Sequence, residues 1–320
     1  MENKLQNEFG KSAAEKTGNA SSCDTSPERM DAIRARVAST DAGSQLILLE
    51  DQCADAPVFD AQLPTVGRLF KFPGGRKSHV AINPSYPDDE IVSFYAHELR
   101  HLWQNECCDT PYFAHPLVMA ENILMISFVT EADAYLNQCL FAGDLARQGD
   151  RSPARYLTGL YCGEKELPEA GALPADQDGF EKHLNGRFWD IMRTLTWSQP
   201  YVEIYFESAM GVLRFFKEKC KNVSLEGLQE LEGQSQDMSR LVDALKPMSL
   251  VQAGEQQTGY LMREDSATFF DRFFDMMPVT YKQRFQNEKM EMIRAFYDAL
   301  AEKSPKPAPG GFSIWVPGQP

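Results

Sequence analysis

Two spacings of apolar residues divide this chain. Before residue 88 the apolar positions come in short runs closed by turn residues. The runs at 44–49 (SQLILL), 66–72 (VGRLFKF) and 78–83 (SHVAIN) predict strands, with breaks at Pro73-Gly74-Gly75, Asn83-Pro84 and Pro87. From Asp88 onward apolar positions recur every three or four residues, which predicts helices over 88–105, 117–147, 178–196, 200–221, 224–245 and 264–302. No fixed-period repeat interrupts this order. The expected fold class is therefore α+β and mostly helical, with a small N-terminal sheet and a helical C-terminal half. The polar segment 1–27 and the Pro/Gly-rich segment 303–320 read as tails. Residues 28–302 read as a single domain, α+β over 28–147 and helical over 148–302.

The helix over 88–105 carries the chemistry. Asp88, Asp89 and Glu90 follow Pro87, as the positive end of a helix dipole favours. Ile91, Val92, Tyr95, Leu99 and Leu102 form an apolar stripe, and His97 and His101 point away from its centre. Together with Glu98 they make H-E-x-x-H. Residues four apart share one face of a helix, so both imidazoles can reach one ion, and zinc takes His nitrogens readily. The intervening Glu98 is placed to act as general base. The plain alternative is two locally hydrogen-bonded histidines.

A third ligand is expected from the helix over 117–147, which is apolar on nearly every side and so reads as buried. Ser127, Glu131, Ala134 and Gln138 line up on one face of it, and the polar members of that stripe need partners. A cation opposite Glu131 would supply one, and so would an arginine. Glu121 is the rival, although its neighbours on the wheel are Phe128, Tyr135 and Cys139. Asp133 and Cys107 stand further back. Tyr112, His115, Tyr135 and His183 are candidate donors to an oxyanion, each with an ordinary packing or capping alternative. In zincins, which this H-E-x-x-H arrangement resembles, the strand just ahead of the motif helix forms the edge of a cleft to which an extended peptide can add. That resemblance implies the same role for the 78–83 strand; the plain alternative is an ordinary edge strand.

HELRHLWQ (97–104) followed by TEADAY (130–135) resembles a family of bacterial metallopeptidases with H-E-L-R-H-x-W-Q and E-A-D-A motifs. More broadly it is similar to the gluzincins, in which HExxH gives two His ligands and a downstream Glu the third. The likeness spans roughly residues 65 to 145. It implies zinc on His97, His101 and Glu131, with Glu98 catalytic. Four residues beyond Glu131 stands Tyr135, where thermolysin-like members have an Asp that orients a ligand. The partner that orients a histidine is therefore unassigned here, with Asp133 and a backbone carbonyl as candidates.

Charge and cysteine content narrow the setting. A net charge of −14 disfavours nucleic acid and anionic membranes as partners. Seven cysteines without C-x-x-C spacing do not read as a disulfide framework or a zinc ribbon. With no apolar leader and no run of 18 apolar residues, the expected compartment is the cytoplasm, and a non-Sec secreted effector would look the same. The expected function is a zinc-dependent hydrolase, a metallopeptidase acting on a peptide or protein. The alternative is a non-catalytic zinc-binding or interaction module with an acidic helical body.

Overall fold

A computed structural model describes residues 24–71, 77–108, 115–156, 177–233, 239–253 and 256–304. The chain is mostly helical with a small three-stranded mixed sheet, consistent with an α+β class. The expected tails fall largely outside the described residues, although α1 already begins at Pro27 and the last helix runs to Lys303. The described residues form two compact units. One holds 24–106 and 137–156, with 252–253; the other holds the rest.

The first unit opens with α1 (Pro27–Ala38) and α2 (Asp41–Cys53). Ser26 caps α1 and Thr40 caps α2, each accepting a backbone N–H from the first turn. A side chain at Gly43 would press into the carbonyl of Val37, so the tight turn between these helices needs glycine there. The expected strand at 44–49 is in fact part of α2. A short continuous apolar run fits helix or strand equally, and here the Thr40-Asp41 start decides. Leu46 and Glu50, four apart, are buried, while Leu48 faces solvent.

The sheet comprises β1 (Val58–Phe59), β2 (Gly67–Phe70) and β3 (His79–Ile82), in the order β1-β3-β2. β3 runs parallel to β1 and antiparallel to β2, with Leu69 opposite Val80 and Phe70 opposite His79. The 78–83 strand is thus central. Both its sides are paired, so it cannot be the cleft edge expected of it; within this sheet β2 and β1 are the edges. His79 stacks on Phe70, ring centroids 5.4 Å apart.

α3 (Asp88–Cys107) follows the sheet and buries its expected stripe, Ile91, Val92, Tyr95, Leu99 and Leu102, completely. α4 (Pro116–Arg147) is one unbroken helix. In its C-terminal half Phe141 and Leu145 join the same core, and Gln138 Nε2 donates to Ser93 Oγ of α3 at 2.8 Å. On the far side of α3, Tyr95 Oη donates to Glu50 Oε2 at 2.5 Å, and Arg34 Nε reaches the same oxygen at 3.2 Å. This trio, with Glu50 and Tyr95 buried and Arg34 half-buried, ties α1, α2 and α3 together.

Burial pushes the Glu50 carboxyl up from its ordinary value, against the pull of Tyr95 and Arg34. A raised folded value means the native state holds this proton more tightly than the unfolded chain. Its contribution to stability is therefore present at low pH and lost as pH rises through the folded titration. Urea unfolding from about pH 4 to 8 should show a flatter pH dependence for Glu50→Gln than for the wild type. A difference between the two that stays constant across that range counts against this assignment.

The second unit contains the N-terminal half of α4, then α5 (Gln177–Trp197), α6 (Gln199–Lys219), α7 (Leu225–Gly233), α8 (Ser239–Leu245), α9 (Ser266–Met276) and α10 (Val279–Lys303). β4 (Leu250–Ala253) and β5 (Gln256–Gly259) pair in a two-stranded sheet. The expected single helix over 264–302 is two. Asp265 caps α9, and Pro278 separates α9 from α10 because the residue before a proline is driven out of helical geometry. Of the expected helix over 224–245, α7 and α8 are helical as read, and residues 234–238 between them lie outside the described residues. Phe188, Trp189, Phe206, Phe269, Phe273 and Phe285 are fully buried and fill this unit's core.

No helix among the described residues is long and apolar enough to cross a membrane. Cys139 is disulfide-bonded, whereas Cys53 and Cys220 are free thiols.

Candidate metal centre

The polar face of α3 brings its two histidines together. His97 is buried and His101 half-buried, and their Nε2 atoms lie 3.1 Å apart. The ring planes are nearly perpendicular, at 83°. His101 Nδ1 lies 2.8 Å from Gln104 Oε1. An amide oxygen only accepts, so a His101 protonated on Nδ1 would donate to it and turn the Nε2 lone pair toward His97. Two imidazole nitrogens this close suit a shared cation, which allows both to present lone pairs.

Glu131 of α4 supplies the third group. His97, His101 and Glu131 each offer one ligand atom, and these atoms all lie within 4.8 Å of one another. Donors held about 2.0–2.1 Å from a tetrahedral zinc would lie roughly 3.3 Å apart, so a small side-chain adjustment closes this set around an ion. Two imidazoles and a carboxylate also match the donors zinc takes in sites that keep a position open. This cluster could hold a metal ion.

The carboxylate of Glu131 is itself held. Tyr205 Oη of α6 donates to Glu131 Oε1 at 2.6 Å. One turn along, Tyr135 and Tyr201 join their hydroxyls at 2.6 Å. The pairs 131–205 and 135–201 run in opposite senses along the two helices, the register of an antiparallel helix pair.

Glu98 lies toward the sheet. Its Oε2 accepts the backbone N–H of Leu69 at 2.8 Å. β2 is an edge strand, and at Leu69 its N–H points away from β3. Glu98 therefore closes a hydrogen-bonding position on that edge. A Cβ at Gly67 would approach Glu98 Cγ to 3.2 Å, so the strand fits beside the carboxylate because this residue is glycine.

The other candidates have different surroundings. Glu121 forms an ion pair with Lys289 at 2.9 Å and is not part of the cluster. Asp133 is buried and accepts the Tyr260 hydroxyl at 2.5 Å. Cys107 is exposed near the end of α3. His115 precedes α4, accepts the N–H of Leu117 on Nδ1 at 3.3 Å and has its basicity lowered by burial, which fits the capping alternative. His183 is half-buried on α5, and Tyr112 lies outside the described residues. Arg100 is buried and stacks on Trp103, 3.8 Å from the ring centroid.

Gln104, Tyr205 and the Leu69 main chain were not visible as site residues in the sequence. Gln104 alone carried a usable signal, since residues three apart on a helix are neighbours. If the cluster holds a metal ion, Gln104→Ala should weaken its binding about 10- to 100-fold, as loss of a ligand-orienting partner does. Competition with a chromophoric chelator measures this, and an unchanged affinity would show that His101 needs no such support.

No protein-family model matches the chain, and no curated protein or solved structure matches it.

Proposed function

We propose that the chain is a zinc-dependent hydrolase, a metallopeptidase of zincin type, with His97, His101 and Glu131 as metal ligands and Glu98 as general base. The observation that carries this reading is the meeting of three ligand atoms around the helix that also bears Glu98. A bound zinc would supply Lewis acidity and make water a nucleophile at neutral pH.

The remaining work falls to side chains. Glu98 takes one proton from water as the water oxygen bonds to the scissile carbonyl carbon. It then delivers that proton to the leaving nitrogen as the C–N bond breaks, giving a carboxylic acid and an amine. Oε2 is held by Leu69 N–H, so Oε1 is the oxygen to carry the proton. That bond positions the base.

The same bond supports a second reading, in which Glu98 serves the strand edge and the metal is held without turnover. Zinc-loaded protein offered a broad peptide library separates the two. Cleavage that disappears with chelator and returns with zinc supports the peptidase. Loaded protein that cleaves nothing supports the non-catalytic module.

A further inference from the structure

We propose that Tyr205 is a positioning residue of the metal centre, whose phenol holds Glu131 to ligation through a single oxygen. This inference rests on the metal reading above and adds a residue to it.

A glutamate beside a cation can turn about its terminal bond and offer one oxygen or two. The choice sets the coordination number and the room left for water or substrate. Here the carboxylate is not free to turn. The Tyr205 hydroxyl donates to Oε1 at 2.6 Å, a length typical of a hydroxyl bonded to an ionised acceptor. The Tyr205 ring is fixed in turn. It meets Phe128 edge-on, centroids 5.3 Å apart, and lies 6.0 Å from the ring of Tyr201. Phe128 precedes Glu131 by three residues on α4, so one helix carries both the carboxylate and the aromatic face that steadies its partner. The phenol is thereby set by packing as well as by its hydrogen bond.

Tyr201 provides the internal control. It stands one helical turn from Tyr205 on α6 and bonds Tyr135 across the same helix pair. If the tyrosines serve only to dock α6 on α4, losing either hydroxyl should have similar effects. If Tyr205 governs Glu131, the two should differ sharply.

The test uses the full-length protein loaded with cobalt(II), whose visible absorption is strong in four-coordinate sites and falls as coordination number rises. The wild type should bind about one cobalt with an intense visible band. Tyr205→Phe should lose much of that intensity and bind zinc about 10- to 100-fold more weakly, the usual cost of removing an outer partner of a metal ligand. Tyr201→Phe should keep the wild-type spectrum and affinity. A Tyr205→Phe protein with wild-type spectrum and affinity overturns the inference, as does a Tyr201→Phe protein with the same losses. A wild type that binds neither metal overturns the metal reading itself, and is told apart by needing no variant.

Discussion

Glu98→Gln is expected to retain about one zinc per chain while peptide cleavage falls by about 10²- to 10⁴-fold, the range a positioned general base contributes. The amide has nearly the shape of the carboxylate and cannot accept the transferred proton. Its carbonyl oxygen can still receive the N–H of Leu69, so the local fold of β2 against α3 should persist. Measuring zinc content and cleavage on the same preparation is essential. Loss of both together would mean that the substitution damaged the centre, and retention of both would remove Glu98 from the chemistry.

Removing the metal should have the largest effect on stability. A ligand present at a thousand times its dissociation constant stabilises a folded protein by about 4 kcal/mol. For a chain of this size that corresponds to a fall in melting temperature on the order of 8 °C when a chelator is added. His97→Ala, His101→Ala and Glu131→Ala should each melt near the metal-free value and ignore the chelator. A wild type whose melting temperature is the same with and without chelator would show that the three side chains meet without holding an ion.

What could be read from the sequence follows from the range of the interactions involved. The motif helix was legible because its signals are local: an acidic start, an apolar stripe and two histidines one turn apart. Glu131 was legible because a polar stripe on an apolar helix demands a partner. The choice over Glu121 became clearer with Lys289, which lies 168 residues further along the chain and pairs with that rival. The run at 44–49 misled because four successive apolar residues carry no period. The burial of Leu46 and of Glu50, the latter against Tyr95 of a different helix, shows which side of that segment faces inward. The cleft-edge role expected of the 78–83 strand failed for a related reason. Which strand ends a sheet depends on pairing partners, and β1 is too short to announce itself. Tyr205 had no local signal at all, since its partner is 74 residues away.

The bond between Leu69 and Glu98 bears on how the base can be dissected. Alanine at position 98 would strip away the proton acceptor and also leave a bare amide on an outer β strand, a group that invites pairing with a neighbouring molecule. Self-association could then pass for a catalytic defect. The isosteric amide changes one property where truncation changes two, because a side chain that trims a sheet margin doubles as a guard against unwanted company.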